Sequence, residues 1–474
     1  MLVESRIFFV LMALAVAVYS LSARAAQDLA SNATECLSPR TKEYRSLPGI
    51  IWSCLTTTFL CIWVALHLNV PEPVDTRGLG YLTRFKIWTK SVLRCNVVPI
   101  IVTLVFPEWV LGMAILQFTK ATRLAKDIGA TRQQGFFIIM GGFHLFERGQ
   151  QSSYDANGEQ DEESNHLLFR KSALEAGDGR REYAPSKRAT KAVDEEFGKP
   201  IHPLDEFDVR RLIKDDKLLL PTPAELQDKC KNDGLAKFLV IVQTLWFIAH
   251  CIARKVSNLP LTELEVVTLG YTLLTVAMYI AWWDKPYRVT FPVRVYETLP
   301  ERTEEQKRLK QEMEEHGLLS RALAYAVGVQ GGYVDLRSLK QVPMFHSGYN
   351  KDEGTAGDLV GFLTTIIVGT VFGAVHFLAW SSPFPSHHMQ FLWRFASIVM
   401  TAVPPAAIVV LFSAVGIDKI SRSLGMVIML LQFLLMPLYF VGRGITIMLA
   451  LVTLGTLPLD AYRDMEWSDF FPHI

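Results

Sequence analysis

Ionisable side chains set inside long apolar runs are the residues of this sequence that could do chemistry. A charge at membrane depth is costly unless it serves a pathway, a proton relay or a structural pair. Glu108, His250, His376 and Arg443 stand out in this way. Glu108 follows Pro107; in the first turn of a helix the backbone dipole would hold its carboxylate, or the carboxylate could face a cation path. The plainer account is a capping carboxylate near the interface, because position alone explains it. His376 follows Gly369 and Gly373, a small-xxx-small spacing that lets a second helix come close. A histidine beside such a face either hydrogen-bonds across the helix contact or carries protons, and the structural bond is the commoner use. His250 poses the same choice nearer a helix end. Arg443, between Gly442 and Gly444, could reach lipid phosphate if its helix bends at Pro437. Snorkelling to the interface without further role is the plainer account, and it is also expected of Arg254-Lys255.

Other chemistry finds little support. His387-His388 has no carboxylate or third histidine nearby, and the six cysteines form neither a CxxC nor a zinc-spaced pair with histidine. No metal or cofactor is therefore expected. Phosphate loops, HExxH, GxSxG and kinase signatures do not occur in a fitting context, so no catalytic residue is assigned and the sequence leans away from an enzyme. A formal net charge of +1 over 474 residues gives no footprint for nucleic acid, which demands a strong excess of Lys and Arg. The expected partner is the lipid bilayer.

The elements that must position these residues are apolar helices. Half of the chain is hydrophobic and a fifth is charged, and the two classes are segregated rather than interleaved at helix or strand period, as in a membrane protein. The fold class is an all-α, polytopic transmembrane bundle. Its spans are expected at 49–68, 235–252, 264–283, 359–380, 391–415 and 424–454; ~20 residues cross ~30 Å of hydrocarbon. The last is therefore too long for one untilted helix and is expected as a span kinked at Pro437 with an extension in the interface. Asn96 to Phe118 is long enough to cross, but Pro99 and Pro107-Glu108 interrupt it. If it enters and turns back at Pro107, then Lys120, Arg123, Lys126, Arg132, Lys285, Arg288 and Arg294 share one side with Arg77, Arg84, Lys86, Lys90 and Arg94, as the positive-inside rule prefers. A seven-span receptor-like outline is the alternative.

The segments follow in order. Residues 1–25 read as a signal peptide closing on Ala23-Arg24-Ala25, and 26–48 as a lumenal stretch with a glycan acceptor at Asn32. Residues 49–147 hold the first span, the re-entrant segment and the apolar Gly135 to Phe146, expected on or in the membrane surface. Residues 148–200 form an insert too polar to fold, with room for cytosolic protein partners. A cytosolic helix and two spans occupy 201–283, with capping boxes at Thr222/Glu225 and Thr262/Glu265. A charged linker at 284–358 includes a solvated helix over Glu301 to Glu315, and three spans with a short tail complete 359–474.

Several blocks then resemble a known family. Gly135 to Glu147 (GFFIIMGGFHLFE), Leu259 to Tyr271 (LPLTELEVVTLGY), Trp282 to Pro286 (WWDKP) and Phe470 to Ile474 (FFPHI) are similar to recurring blocks of a large set of uncharacterised polytopic membrane proteins, abundant in mushroom-forming fungi. The similarity runs from about Trp52 to the C-terminus, with the polar insert interrupting it. It implies a shared multipass fold and a signal peptide in many members. It implies no activity, and no catalytic or binding residue carries over. On the residues alone a transporter or channel ranks first, since polar groups inside membranes most often line pathways. A lipid-modifying membrane enzyme and a receptor or scaffold follow.

Overall fold

A computed structural model describes residues 44–74, 79–147, 198–231, 234–299, 301–302, 334–348, 356–418 and 422–464. The expected signal peptide, Asn32, nearly all of the polar insert, the Glu301 to Glu315 helix beyond its first two residues and the terminal FFPHI block lie outside the described residues.

Helix α1 (Leu47–Ala65) opens on Ser46, whose hydroxyl accepts the Gly49 amide at 3.2 Å, with Pro48 in the first turn. A rod of 25 residues follows: α2 (Tyr81–Val92), a π-turn over Leu93–Val97, and α3 (Val98–Val105). It stops where the sequence says it must. Phe106, the residue before Pro107, leaves the helical region at φ −134 and ψ 54, and α4 (Pro107–Asp127) starts afresh. The next helix, α5 (Arg132–Ile139), carries a Thr131/Gln134 capping box.

A small sheet comes next, built from β1 (Phe143–Phe146), β2 (Pro200–Pro203) and β3 (Val293–Val295) in the order β2-β1-β3. Strand β1 is antiparallel to β2 and parallel to β3, so His144 faces Pro203 on one side and Arg294 on the other. Helices α6 (Glu206–Lys214) and α7 (Pro223–Lys229) pack against α5, the second opening on the expected Thr222/Glu225 box. Gly135 to Phe146 was expected on the membrane surface, but protein covers it: Phe136, Phe137, Ile139 and Phe143 are buried, and the Phe137 and Phe143 rings meet edge-on at 5.3 Å. Apolar length alone does not say whether lipid or protein will receive a segment.

The remaining helices form the bundle: α8 (Gly234–Val256), α9 (Glu263–Ala281), α10 (Ala356–Val375), α11 (His387–Asp418), α12 (Arg422–Val452) and the short α13 (Leu459–Tyr462). Helix α9 opens on the expected Thr262/Glu265 box. Each of the six expected ranges is helical over most of its length, and Pro404, Pro405 and Pro437 stay inside α11 and α12. Among the described residues, Leu47–Ala65, Tyr81–Val105, Glu263–Ala281 and Pro437–Thr456 are long and apolar enough to cross a membrane. One core runs through the molecule, with α9 packed on α1, α4 and α12, and α10 on α4 and α11.

Two polar contacts fix the direction of the helices. Arg45, just before α1, pairs with Glu265 in the first turn of α9. Asn69, just after α1, accepts from the Lys285 ammonium, just after α9, at 2.9 Å. Helices α1 and α9 are therefore parallel. The C-terminal end of α8 joins the Arg45 end, because Arg254 donates to the Arg463 carbonyl at 2.8 Å while the Arg45 amide donates to Tyr462 O at 2.7 Å. Helix α8 is therefore antiparallel to both.

Candidate functional site

The break between α3 and α4 presents Glu108 to the bundle interior. Pro107 takes the first position of α4 and Glu108 the next, where the unpaired amides and dipole of a helix N-terminus favour an anion. Facing it on α12, Tyr439 and Arg443 are four residues apart and so share one helix face. The Tyr439 hydroxyl donates to Glu108 Oε1 at 2.7 Å, and Arg443 Nη1 donates to the same oxygen at 2.6 Å. Nη2 of Arg443 donates to the Tyr271 hydroxyl at 2.9 Å, and that hydroxyl donates on to the Leu104 carbonyl at 2.5 Å. Tyr271 thus satisfies a carbonyl in the last turn of α3, which the helix itself leaves open.

Aromatic rings enclose the pair. The guanidinium carbon of Arg443 lies 4.7 Å from the Phe372 ring centre and 5.3 Å from that of Tyr271. Phe372 reaches this place because α9 carries Gly270, where an added Cβ would come within 2.9 Å of the ring. Glu108 and Arg443 are 6% and 3% exposed. A carboxylate and a guanidinium are thus held away from solvent by each other, by two phenols and by π-faces. Arg443 Nε is buried and has no hydrogen-bond partner. The expected snorkelling of Arg443 does not occur, because the buried Glu108 carboxylate offers it a partner.

His376 lies one ring away. Its imidazole packs 5.0 Å from Phe372 and 5.8 Å from Trp393, and Nδ1 is 2.9 Å from the Phe372 carbonyl of its own helix. The hydrogen bond between helices uses its backbone instead: Trp393 Nε1 donates to His376 O at 3.1 Å. Gly373 brings the helices together, since a Cβ there would sit 2.5 Å from the Met400 carbonyl carbon.

His250 belongs elsewhere. It is half-buried on α8 and feels the charges of Glu265, Arg45 and Arg254. In that end cluster Arg45 holds Glu265 and donates from Nε to Ala461 O at 2.8 Å, while Thr453 donates to Glu263 at 3.0 Å. Arg254 does not snorkel either. It is 0% exposed and donates to the carbonyls of Pro260 and Arg463, because the chain segment around Ala461 folds back over the helix end.

A third polar cluster, at the opposite end of α9, is built on the WWDKP block. Lys285 Nζ donates to Asn69 Oδ1 at 2.9 Å and to Gln117 Oε1 at 3.0 Å, and it sits 5.0 Å from the Trp282 ring centre. Trp282 Nε1 donates to the same Gln117 oxygen, and Gln117 Nε2 donates to His346 O at 2.6 Å. Burial pushes the Lys285 ammonium down to about 7 and the His346 imidazole down to about 3. In the sequence Lys285 reads only as one of the charges that bear on topology and as part of the WWDKP block. Tyr271 and Tyr439 give no isolated signal, although the four-residue spacing of Tyr439 and Arg443 is visible once Arg443 is singled out. Among the described residues no group of three or more His, Cys, Asp or Glu is arranged to hold a metal ion.

Residues 208–306, from α6 through α9 to just beyond β3, match a family of unknown function (DUF8562). This fits the expected resemblance to an uncharacterised family and adds no activity. The curated proteins hold no match to the chain. Nor do the solved structures.

Proposed function

We propose that the protein is a multi-pass membrane protein of transporter- or channel-like function, in which Glu108 exchanges Arg443 for a proton or a small cation. The observation that carries this reading is the buried Glu108–Arg443 pair at an interrupted helix. Such helices supply ion sites in transporters.

Membrane residence is supported by what the helices leave uncovered. Besides the four apolar stretches of spanning length, α8 exposes Phe238, Ile241, Val242, Leu245, Trp246 and Ile252 along one side, a face suited to lipid.

Re-entry of α2–α4 is supported by parity. Helix α1 ends, and antiparallel α8 begins, at the Lys285 end of the bundle. The chain between them therefore crosses an even number of times, which disfavours a lone crossing by 96–118. Depth supports it too. Tyr271 is eight residues into α9 and ten before its end, near the middle of a span at ~1.5 Å per residue. Leu104 and Glu108 gather around Tyr271 and Arg443, while Gln117 on α4 reaches the Lys285 cluster. The chain then rises to mid-depth along α3, turns at Phe106-Pro107 and returns along α4.

The partners of Glu108 favour transport over lipid chemistry. Both Arg443 and Tyr439 donate to its carboxylate, so it serves as an acceptor in a lock rather than as a free acid or base. The scaffold reading draws on the 148–200 insert, nearly all of which lies outside the described residues.

The test uses purified protein in vesicles loaded with a pH-sensitive dye, under an imposed potential and under sodium or potassium gradients. Wild type should dissipate at least one gradient faster than empty vesicles. Glu108→Gln should return the rate to that of empty vesicles. The double variant Glu108→Gln, Arg443→Gln removes both charges together, and so avoids an unpaired buried charge; it should also be inactive. Wild type that matches empty vesicles under every gradient ends the transport reading.

A further inference from the structure

The surface of α2 has no role in the pair described above, and its composition points to a ligand. None of its residues is buried, and Tyr81 is 83% exposed. At 100° per residue, Tyr81, Phe85, Trp88 and Val92 fall on one stripe, with the Phe85 and Trp88 rings 5.7 Å apart. Lys86 and Lys90 fall on the opposite stripe, Arg94 follows four residues on in the π-turn, and all three are exposed. The rod continues into α3, where Val98, Ile101, Leu104 and Val105 are exposed and apolar.

We propose that α2 is a membrane-surface helix that binds anionic phospholipid headgroups through Lys86, Lys90 and Arg94. The inference rests on the membrane residence proposed above and is independent of transport. Three observations single out lipid as the occupant. First, charge complementarity: three cations on one helical edge match a surface bearing phosphatidylserine. Second, continuity: from Cys95 to Val105 the rod holds no charged residue, and eleven residues rise ~16 Å, about half of the ~30 Å hydrocarbon layer. Arg94 therefore falls near the headgroup boundary when Phe106 reaches mid-depth, and Lys90 and Lys86 follow one and two turns outward. Third, the aromatic stripe: Tyr and Trp favour the interface, where a ring can lie in the acyl boundary with its polar edge wet. A helix entering obliquely would lay Tyr81, Phe85 and Trp88 towards the acyl chains and turn the cations to the phosphates. Soluble acidic protein would satisfy the cations but leave the apolar stripe and its continuation into α3 unexplained.

The experiment uses the full chain in vesicles and electron paramagnetic resonance of spin-labelled lipids, comparing phosphatidylserine with phosphatidylcholine in the motionally restricted shell. Wild type should prefer phosphatidylserine by about twofold or more at low salt and lose the preference as ionic strength rises. The variant Lys86→Gln, Lys90→Gln, Arg94→Gln should bring the ratio towards one, and Lys86→Arg with Lys90→Arg should keep it. The salt titration needs no substitution, so it decides even if the triple variant folds poorly. Equal association of both lipids with wild type, or a preference unchanged in the triple variant, overturns the inference. Retention on vesicles after alkaline carbonate reads membrane residence separately. A retained chain without lipid preference overturns this inference alone, and a stripped chain overturns both.

Discussion

Lys285 and Arg443 show two ways a cation can be kept inside a protein. Arg443 meets a carboxylate, whereas Lys285 meets two amide oxygens and an indole face. An amide oxygen compensates a buried charge less than an anion does, so burial dominates and the ammonium is pushed down from 10.5 to about 7. Between those values the folded chain binds fewer protons than the unfolded one. Stability should therefore climb as pH rises from about 7 to about 10. Below about pH 7 both states are protonated, and the cost of the buried cation is fully present. His346, pushed down to about 3, stays neutral across this window. Lys285→Met should flatten the climb. Asn69 Oδ1 loses its donor in that variant, but this offset does not change with pH, so the slope is the readout. Unfolding midpoints in detergent from about pH 6 to about pH 10 check it, and equal slopes for the two proteins would contradict the assignment. Little of this was legible in the sequence. Glu108 and Arg443 are visible as charges in apolar runs, but that they are partners 335 positions apart is a fact of the fold.

Local signals set much of the element scale. The boxes at Thr222/Glu225 and Thr262/Glu265 and the break at Pro107 form where residue spacing requires them, because each is decided within one helical turn. What failed depends on distant chain. Gly135 to Phe146 and Arg254 read as membrane-surface features, since nothing nearby offers cover or partners; β3 and the segment around Ala461 supply them. Glycines in α10 fall between these cases, visible as a motif whose partner is not. The two are unequal. A Cβ at Gly373 would meet backbone of α11 at 2.5 Å, while one at Gly369 would meet the Pro404 side chain at 3.3 Å. Backbone yields less than a ring edge, so Gly373→Ala should destabilise by about 1–3 kcal/mol and Gly369→Ala by less. Thermal unfolding of the two variants in one detergent tests the order. If Gly369→Ala is the worse, the close approach of α10 and α11 is not as described.

At the scale of the whole molecule, the three polar clusters act as depth marks. Arg45–Glu265, Glu108–Arg443 and Lys285–Asn69 lie at the start, middle and end of α9. Described segments that touch these clusters can therefore be assigned to an end of the bundle from contacts alone. Arg132 pairs with Asp284, which puts the α4–α5 turn at the Lys285 end, the end where α1 stops. Under the proposed re-entry and orientation, Arg132 and Arg288 face the cytosol, while the α1 start, the α8–α9 turn, the α10–α11 turn and the α13 region face the lumen. A lone crossing by 96–118 would instead put the α4–α5 turn on the opposite side from the end of α1, against the Asn69–Lys285 bond. Acceptor sites for N-linked glycan report this directly, since the transferase acts only in the lumen. A sequon placed beside Arg132 or beside Arg288 should stay unmodified in cells, and one in the α8–α9 turn near Asn258 should be modified. Glycosylation beside Arg132 would refute re-entry, and with it the location of Glu108 at the tip of a hairpin. Modification at none of the three sites, Asn258 included, would count against the proposed orientation of the whole bundle.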